Sequence, residues 1–142
     1  MNVIQKIRGV NDVIDSTLLY NLNSEIIKFF TCHGFIPCKL PLIENSQLFE
    51  KTLGDFSDVI NKEMFYVASK NQTDEIKSMC LRPEATASVM RAFLENNINE
   101  KPWKTFLIGS MFRYERPQLG RYREFSQASI EIVNTSSLAD RK

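Results

Sequence analysis

The chain has 142 residues, of which 43% are hydrophobic and 25% charged, with 18 basic and 17 acidic side chains for a formal net charge of +1. That length gives one domain with a real core and excludes two ordinary ones, and the composition excludes a disordered chain. The near balance of charge excludes a global field drawing the chain to nucleic acid or membrane, so any anion binding must come from local clusters.

The cysteines Cys32, Cys38 and Cys80 form no CxxC pair, and His33 is the only histidine. This argues against a metal site such as zinc and against a disulfide framework, and for free thiols in a reducing cytoplasm. The N-terminus lacks the apolar core of a signal peptide, and no apolar run reaches membrane-spanning length. A cytoplasmic protein with no membrane partner is expected.

In residues 16–31, Leu19, Leu22, Ile26, Phe29 and Phe30 recur at three- and four-residue steps, the spacing of an amphipathic helix. Asp15 or Ser16 suits its start and Gly34 its end. Phe35 to Leu40 reads as a short extended strand, confined to an edge or an interface by Pro37 and Pro41. Asn45 to Leu53 reads as a helix stopped by Gly54. Glu63 to Ala68 is a strand, Ser69 to Glu75 a polar turn, and Ile76 to Leu81 the returning strand. Phe65 and Tyr66 point to opposite faces, which puts at least one ring in the core. Glu84 to Asn96 is a further helix starting just after Pro83, with Glu84 and Thr86 in its first turn. Trp103 to Arg113 and Phe125 to Val133 are strands flanking an arginine-rich loop. The tail from Asn134 reads as a loop entering another helix, so the chain ends in mid-architecture. Helices interleaved with antiparallel hairpins, without βαβ spacing, predict an α+β domain. Its sheet should be mostly antiparallel, flanked by helices and incomplete at the C-terminus.

Met111 to Phe125 holds Arg113, Arg116, Arg121 and Arg123 and the aromatics Phe112, Tyr114, Tyr122 and Phe125, around a Pro117-Gln-Leu-Gly120 turn. Guanidinium forks match phosphate oxygens and aromatic faces match a purine, so the hairpin reads as a nucleoside-triphosphate clamp. The bland alternative is a solvated charge cluster. On the strand that follows, alternation puts Phe125, Gln127, Ser129 and Glu131 on one face and Ser126, Ala128, Ile130 and Ile132 on the other. The second face is apolar enough to pack on helices. The first is either a solvated face or the floor of a small-molecule site, with Phe125 under a flat ring and Gln127 and Glu131 on a polar substrate. Glu84 and Thr86 either suit a helix start or present oxygens to a substrate ammonium. Arg8-Gly-Val-Asn-Asp12 reads as a turn, and Pro41 to Glu50 as an amphipathic segment; neither carries function unaided.

In this order the pieces resemble the catalytic domain of class II aminoacyl-tRNA synthetases, specifically the histidyl-tRNA synthetase family. Arg8 to Asp12 is similar to the family's N-terminal Arg-Gly-x-x-Asp. Leu40-Pro-Leu-Ile-Glu44 with Leu48, Phe49 and Gly54 resembles motif 1, the dimer-forming segment of the class. Asp58 to Met64 and Leu81-Arg-Pro-Glu-Ala-Thr-Ala87 resemble two further family stretches. Phe112 to Phe125 resembles motif 2 in its histidine-specific form.

The resemblance implies a histidine–tRNA ligase that forms histidyl-adenylate from histidine and ATP with Mg2+, then charges tRNA(His). It implies Glu84 and Thr86 at the histidine amino group, and Arg113 as the catalytic contact to the α-phosphate and the carboxylate. Glu115 would accept from the adenine amino group, Phe125 would stack on the ring, and Arg121 would reach the distal phosphates. Gln127 and Glu131 would contact histidine. A homodimer through the motif 1 region is implied. Residues 1–142 would be the N-terminal portion of the catalytic domain, without motif 3 or an anticodon-binding domain, and alone inactive in charging. The chain departs from the family pattern at Ser110 (usually proline), Ser126 (usually histidine) and Ser129 (commonly glycine), and Ser129 is expected to crowd the histidine pocket. A non-catalytic regulatory subunit of histidine biosynthesis is the alternative.

Overall fold

A computed structural model of the chain describes residues 3–52, 63–68, 79–99 and 101–134. The Gly54 stop, the Ser69–Glu75 turn, the Asp58–Lys62 part of the family stretch and the tail after Asn134 lie outside them. In chain order the elements are α1 (Thr17–Cys32), β1 (Ile36–Pro37), β2 (Ile43–Asn45), α2 (Ser46–Thr52), β3 (Phe65–Tyr66), β4 (Met79–Leu81), α3 (Thr86–Glu95), β5 (Trp103–Phe112) and β6 (Glu124–Val133). The α+β expectation holds.

The strands form two three-stranded sheets, ordered β1-β5-β6 and β2-β4-β3. All pairings are antiparallel except β1 with β5, which is parallel. Proline lacks a backbone donor, and Pro37 accordingly lies in the edge strand of its sheet. The β5–β6 ladder runs unbroken from Trp103 opposite Val133 to Phe112 opposite Glu124.

Two cores meet at α3. Ala85, Leu107 and Met111 pack with Cys38, Leu40 and Phe125, and Val89, Trp103 and Val133 pack beside them with Phe93 and Ile98. On the other side Phe49, Met64, Cys80 and Ala87 join α2, the second sheet and α3. Burial pushes the Cys80 thiol above its ordinary 9.0 to about 11, helped by the nearby carboxylates of Glu44 and Glu50. In the native chain iodoacetamide at neutral pH is therefore expected to alkylate exposed Cys32 and spare Cys80; modification of Cys80 at the rate of Cys32, read by peptide mass spectrometry, would contradict this packing. The raised value also has a sign. Its stabilising contribution is complete below the ordinary thiol range and is lost as pH climbs towards about 11, because the unfolded thiol ionises first.

Four sequence expectations need correction. The apolar stripe of α1 buries nothing fully; its main anchor is half-buried Phe30, whose ring centroid lies 5.3 Å from Phe106 and 5.6 Å from Phe35. Leu18, Leu22 and Phe29 stand exposed. Neither ring of β3 reaches the core: Phe65 is half-buried edge-on to Tyr114, and Tyr66 is exposed. Helix α3 begins at Thr86, so Pro83 and Glu84 precede it. The Glu84 carboxylate takes over the capping, accepting from the Thr86 and Ala87 amides at 2.6 and 2.8 Å.

The fourth concerns the Ser126–Ile132 face of β6, which does not pack on helices as expected. Phe125, Gln127, Ser129 and Glu131 point inward, while Ser126, Ala128, Ile130 and Ile132 are exposed. The cause is the partner strand. Leu107, Met111 and Trp103 of β5 share the inward face and bring far more apolar surface to α3 than β6 offers on its other side.

Candidate nucleotide and amino-acid site

The inward face of the β5–β6 ribbon and the start of α3 enclose most of the residues singled out by sequence. Met111 lies opposite Phe125, Gly109 opposite Gln127, Leu107 opposite Ser129 and Thr105 opposite Glu131. Phe125, Gln127, Ser129 and Glu131 thus climb one face in steps of two.

At the loop end, the Arg113 guanidinium lies 5.0 Å from the Phe125 ring centroid and its Nε donates to the Pro83 carbonyl at 3.1 Å. This cation–π contact presents a guanidinium edge and a ring side by side. Glu115 is buried and its carboxylate is ion-paired with Arg121. Arg113 and Phe125 therefore stand together, while Glu115 and Arg121 face each other across the loop. The Pro117–Gly120 turn closes through reciprocal backbone bonds of 3.2 and 3.0 Å between Gln118 and Arg121. Gly120 has φ +75°, where a side chain would be strained.

At the helix end, the Thr86 hydroxyl donates to Glu131 at 2.6 Å. Glu84 is held two residues earlier by the amides of Thr86 and Ala87. The three side chains converge from a turn, a helix and a strand and offer acidic and hydroxyl oxygens to a cation. Gln127 donates from Nε2 to the Ser129 hydroxyl at 2.8 Å. Ser129, expected to crowd the pocket, is buried on the inward face and bonded to its neighbour. Ser126 lies on the exposed outer face.

Several residues organise the site in ways their sequence positions do not announce. Arg123 donates from Nε to the Glu115 carbonyl at 3.1 Å and from Nη1 to the Arg8 carbonyl at 3.2 Å, and its guanidinium covers Tyr114 at 4.3 Å. Its backbone amide also bonds Gly9 O at 2.7 Å. Gly9 has φ +87°, and a Cβ there would meet Pro117 Cγ at 2.7 Å, so glycine lets the N-terminal segment close on the loop. That gives the Arg8–Asp12 turn a partner. Arg91 grips Glu44 with both prongs, Nη2 to Oε1 at 2.7 Å and Nε to Oε2 at 3.0 Å, and holds Glu95 as well. The bonds to Glu44 hold the Arg91 guanidinium above its usual range. This pair ties β2 to α3. An i, i+4 spacing reveals the link to Glu95 in sequence, whereas the link to Glu44 is tertiary.

Solved structures share this fold. The apo histidyl-tRNA synthetase of S. aureus superposes with a TM-score of 0.64 at 27% identity, over 90% of this chain and 28% of that one. A pyrrolysyl-tRNA synthetase from Desulfitobacterium hafniense gives 0.65 at 20% identity, over 79% and 38%, which shows the fold alone. So does a chain described as an ATP phosphoribosyltransferase regulatory subunit/histidyl-tRNA synthetase from Bacillus halodurans C, at 0.68 and 18% identity, over 93% of this chain and 33% of that one. The fold is that of the catalytic core of class II aminoacyl-tRNA synthetases.

Within that class, the family model for histidyl-tRNA synthetase matches residues 11–141, so the chain belongs to the histidyl-tRNA synthetase family. Similar proteins include the histidine–tRNA ligase of Mycoplasma capricolum, 38% identical over 96% of this chain, and the chloroplastic enzyme of Gracilaria tenuistipitata, 36% identical over 93%. The chain spans about a third of their length, 33% and 31%. Among the described residues no helix is long and apolar enough to cross a membrane.

Proposed function

We propose that this chain supplies the ATP and histidine subsites of a histidine–tRNA ligase. The observation that carries the reading is the juxtaposition on one sheet face of Arg113 over Phe125 with the Glu84–Thr86–Glu131 cluster. In the proposed reaction the histidine carboxylate attacks the α-phosphorus of ATP in line, pyrophosphate leaves, and the adenylate then esterifies the terminal ribose of tRNA(His). Such chemistry needs placement and charge stabilisation more than covalent help. Phe125 stacks on adenine and Glu115 accepts from its amino group. Arg113 bridges the α-phosphate and the carboxylate, while Arg121 leaves Glu115 to meet the distal phosphates. Glu84 and Thr86 hold the ammonium, and Gln127 and Glu131 hold the rest of histidine.

Among the described residues no three His, Cys, Asp or Glu side chains converge as a metal site. The loop offers arginines to the phosphates, so Mg2+ enters as part of the ATP substrate, held mainly by its phosphates. The exposed apolar residues of α1 and, in the motif 1 segment, exposed Leu42 and Ile43 support a homodimer, with histidine, ATP and tRNA(His) as the other partners in the cytoplasm. The joint presence of Arg113, Glu115 and Arg121 supports the catalytic reading over a regulatory subunit, which has no need of all three.

Calorimetry of the chain with ATP and with histidine tests the reading, and binding of neither overturns it. Glu84→Gln and Thr86→Val are each expected to weaken histidine binding about tenfold, the loss of one charge-assisted bond, and to leave ATP binding alone. Equal affinity in the variants would contradict the ammonium assignment. The chain by itself is expected not to charge tRNA(His), because it spans about a third of its relatives' length; histidylation of tRNA(His) by the purified chain would overturn that expectation.

A further inference from the structure

Arg82 is a charged side chain only 2% exposed. Its acceptors come from two other segments: Nε donates to Ser110 O at 3.1 Å, and Nη1 to Leu40 O and Pro41 O at 3.2 and 3.3 Å. Its own backbone completes the junction, with the Arg82 amide on Leu42 O at 2.9 Å and the Phe112 amide on Arg82 O at 3.0 Å. No carboxylate is among these hydrogen-bond partners, and burial pulls the guanidinium below its usual range. The remaining nitrogen lies over Gly109, where a Cβ would come within 2.7 Å of Nη2. Gly109 lies opposite Gln127 in the ladder. The next residue, Pro83, has its carbonyl held by Arg113, and Glu84 follows.

We propose that Arg82, keyed into the space above Gly109, is the positioning residue that sets the height of Glu84 and Thr86 over the β5–β6 face. The guanidinium fixes the 82–84 turn to β5 at one end and to the 40–41 segment at the other. Arg113 fixes the same turn from the nucleotide side. The ammonium-binding oxygens are therefore placed by β5, which leads directly into Arg113, rather than by α3 alone. A lysine in place of Arg82 keeps the charge but cannot span three carbonyls in a planar fork. The functional half of this inference rests on the proposed role of Glu84 and Thr86; the structural half does not.

The test uses the 142-residue chain, isotopically labelled, with Arg82→Lys, Gly109→Ala and the double variant. The probes are the amide resonances of Thr86 and Ala87, which report the Glu84 carboxylate, with Phe106 and Ile130 as ladder references. Both single variants are expected to shift the two probe amides while the references stay. Histidine affinity should fall about tenfold with ATP affinity kept, since one charged contact is misplaced. The double variant should be no worse than Arg82→Lys, because the slimmer lysine end clears the added Cβ. Lower melting temperatures with the probe amides unmoved would reduce Arg82 to a tie within the core and overturn the proposal. If Arg82→Lys does not fold, Gly109→Ala decides alone, since its new Cβ meets only the guanidinium. If the wild-type chain binds no histidine, the function reading fails while the amide shifts still settle the positioning role.

Discussion

Arg113→Ala is expected to weaken ATP binding by about 10- to 100-fold, the worth of one to two charge-assisted phosphate contacts. The side chain sits beside the ring proposed to stack on adenine, and it also holds the 82–84 turn through Pro83 O. It is half-buried, it touches Phe125 at 5.0 Å, and among the described residues its side-chain hydrogen bond is to Pro83 O. Arg113→Lys should fall between, since it retains the charge without the fork. Calorimetry with MgATP reads both variants, and an Arg113→Ala affinity equal to wild type would remove Arg113 from the site.

Arg91→Ala is expected to destabilise the chain by about 3 kcal/mol, or roughly 10 °C in melting temperature. It strands the Glu44 side chain, which is 5% exposed, without its bidentate partner. Glu44→Ala should cost less, because Arg91 is 29% exposed, keeps Glu95 and can turn to solvent. The double variant should cost less than the sum of the two. Urea titrations of the three variants give the ordering, and equal single-variant losses would contradict the asymmetry.

Much of the hairpin was legible in sequence because its information is local. Two strand-length segments flanking a Pro-Gln-Leu-Gly turn with clustered arginines need no distant partner to be read. Helices α1 and α2 and the strand after Gly34 were legible for the same reason. β6 alone leaves the Phe125, Gln127 and Glu131 face open between solvated and enclosed, since β5 decides which face is core. The division into two sheets was not legible, because it depends on where β2 and β4 find each other. Arg82 lies within the Leu81–Ala87 motif, yet nothing in the sequence marks its role. Gly109 inside a strand is the signal that a side chain approaches its backbone closely. The grip of Arg91 on Glu44 crosses 47 residues and leaves no pattern in sequence. Glu84 was assigned to a first helical turn because Pro83 marks a helix start, but its own carboxylate displaces that start by two residues.

The most direct test of the central claim follows the Phe125 ring and the Arg113 guanidinium by NMR during an ATP titration, with Phe125→Leu and Arg113→Lys assigning the signals. Saturable shifts of both groups are expected, with magnetisation transfer between adenine protons and the Phe125 ring. Saturable ATP binding that leaves both groups unmoved, or no binding at millimolar ATP, would contradict the claim.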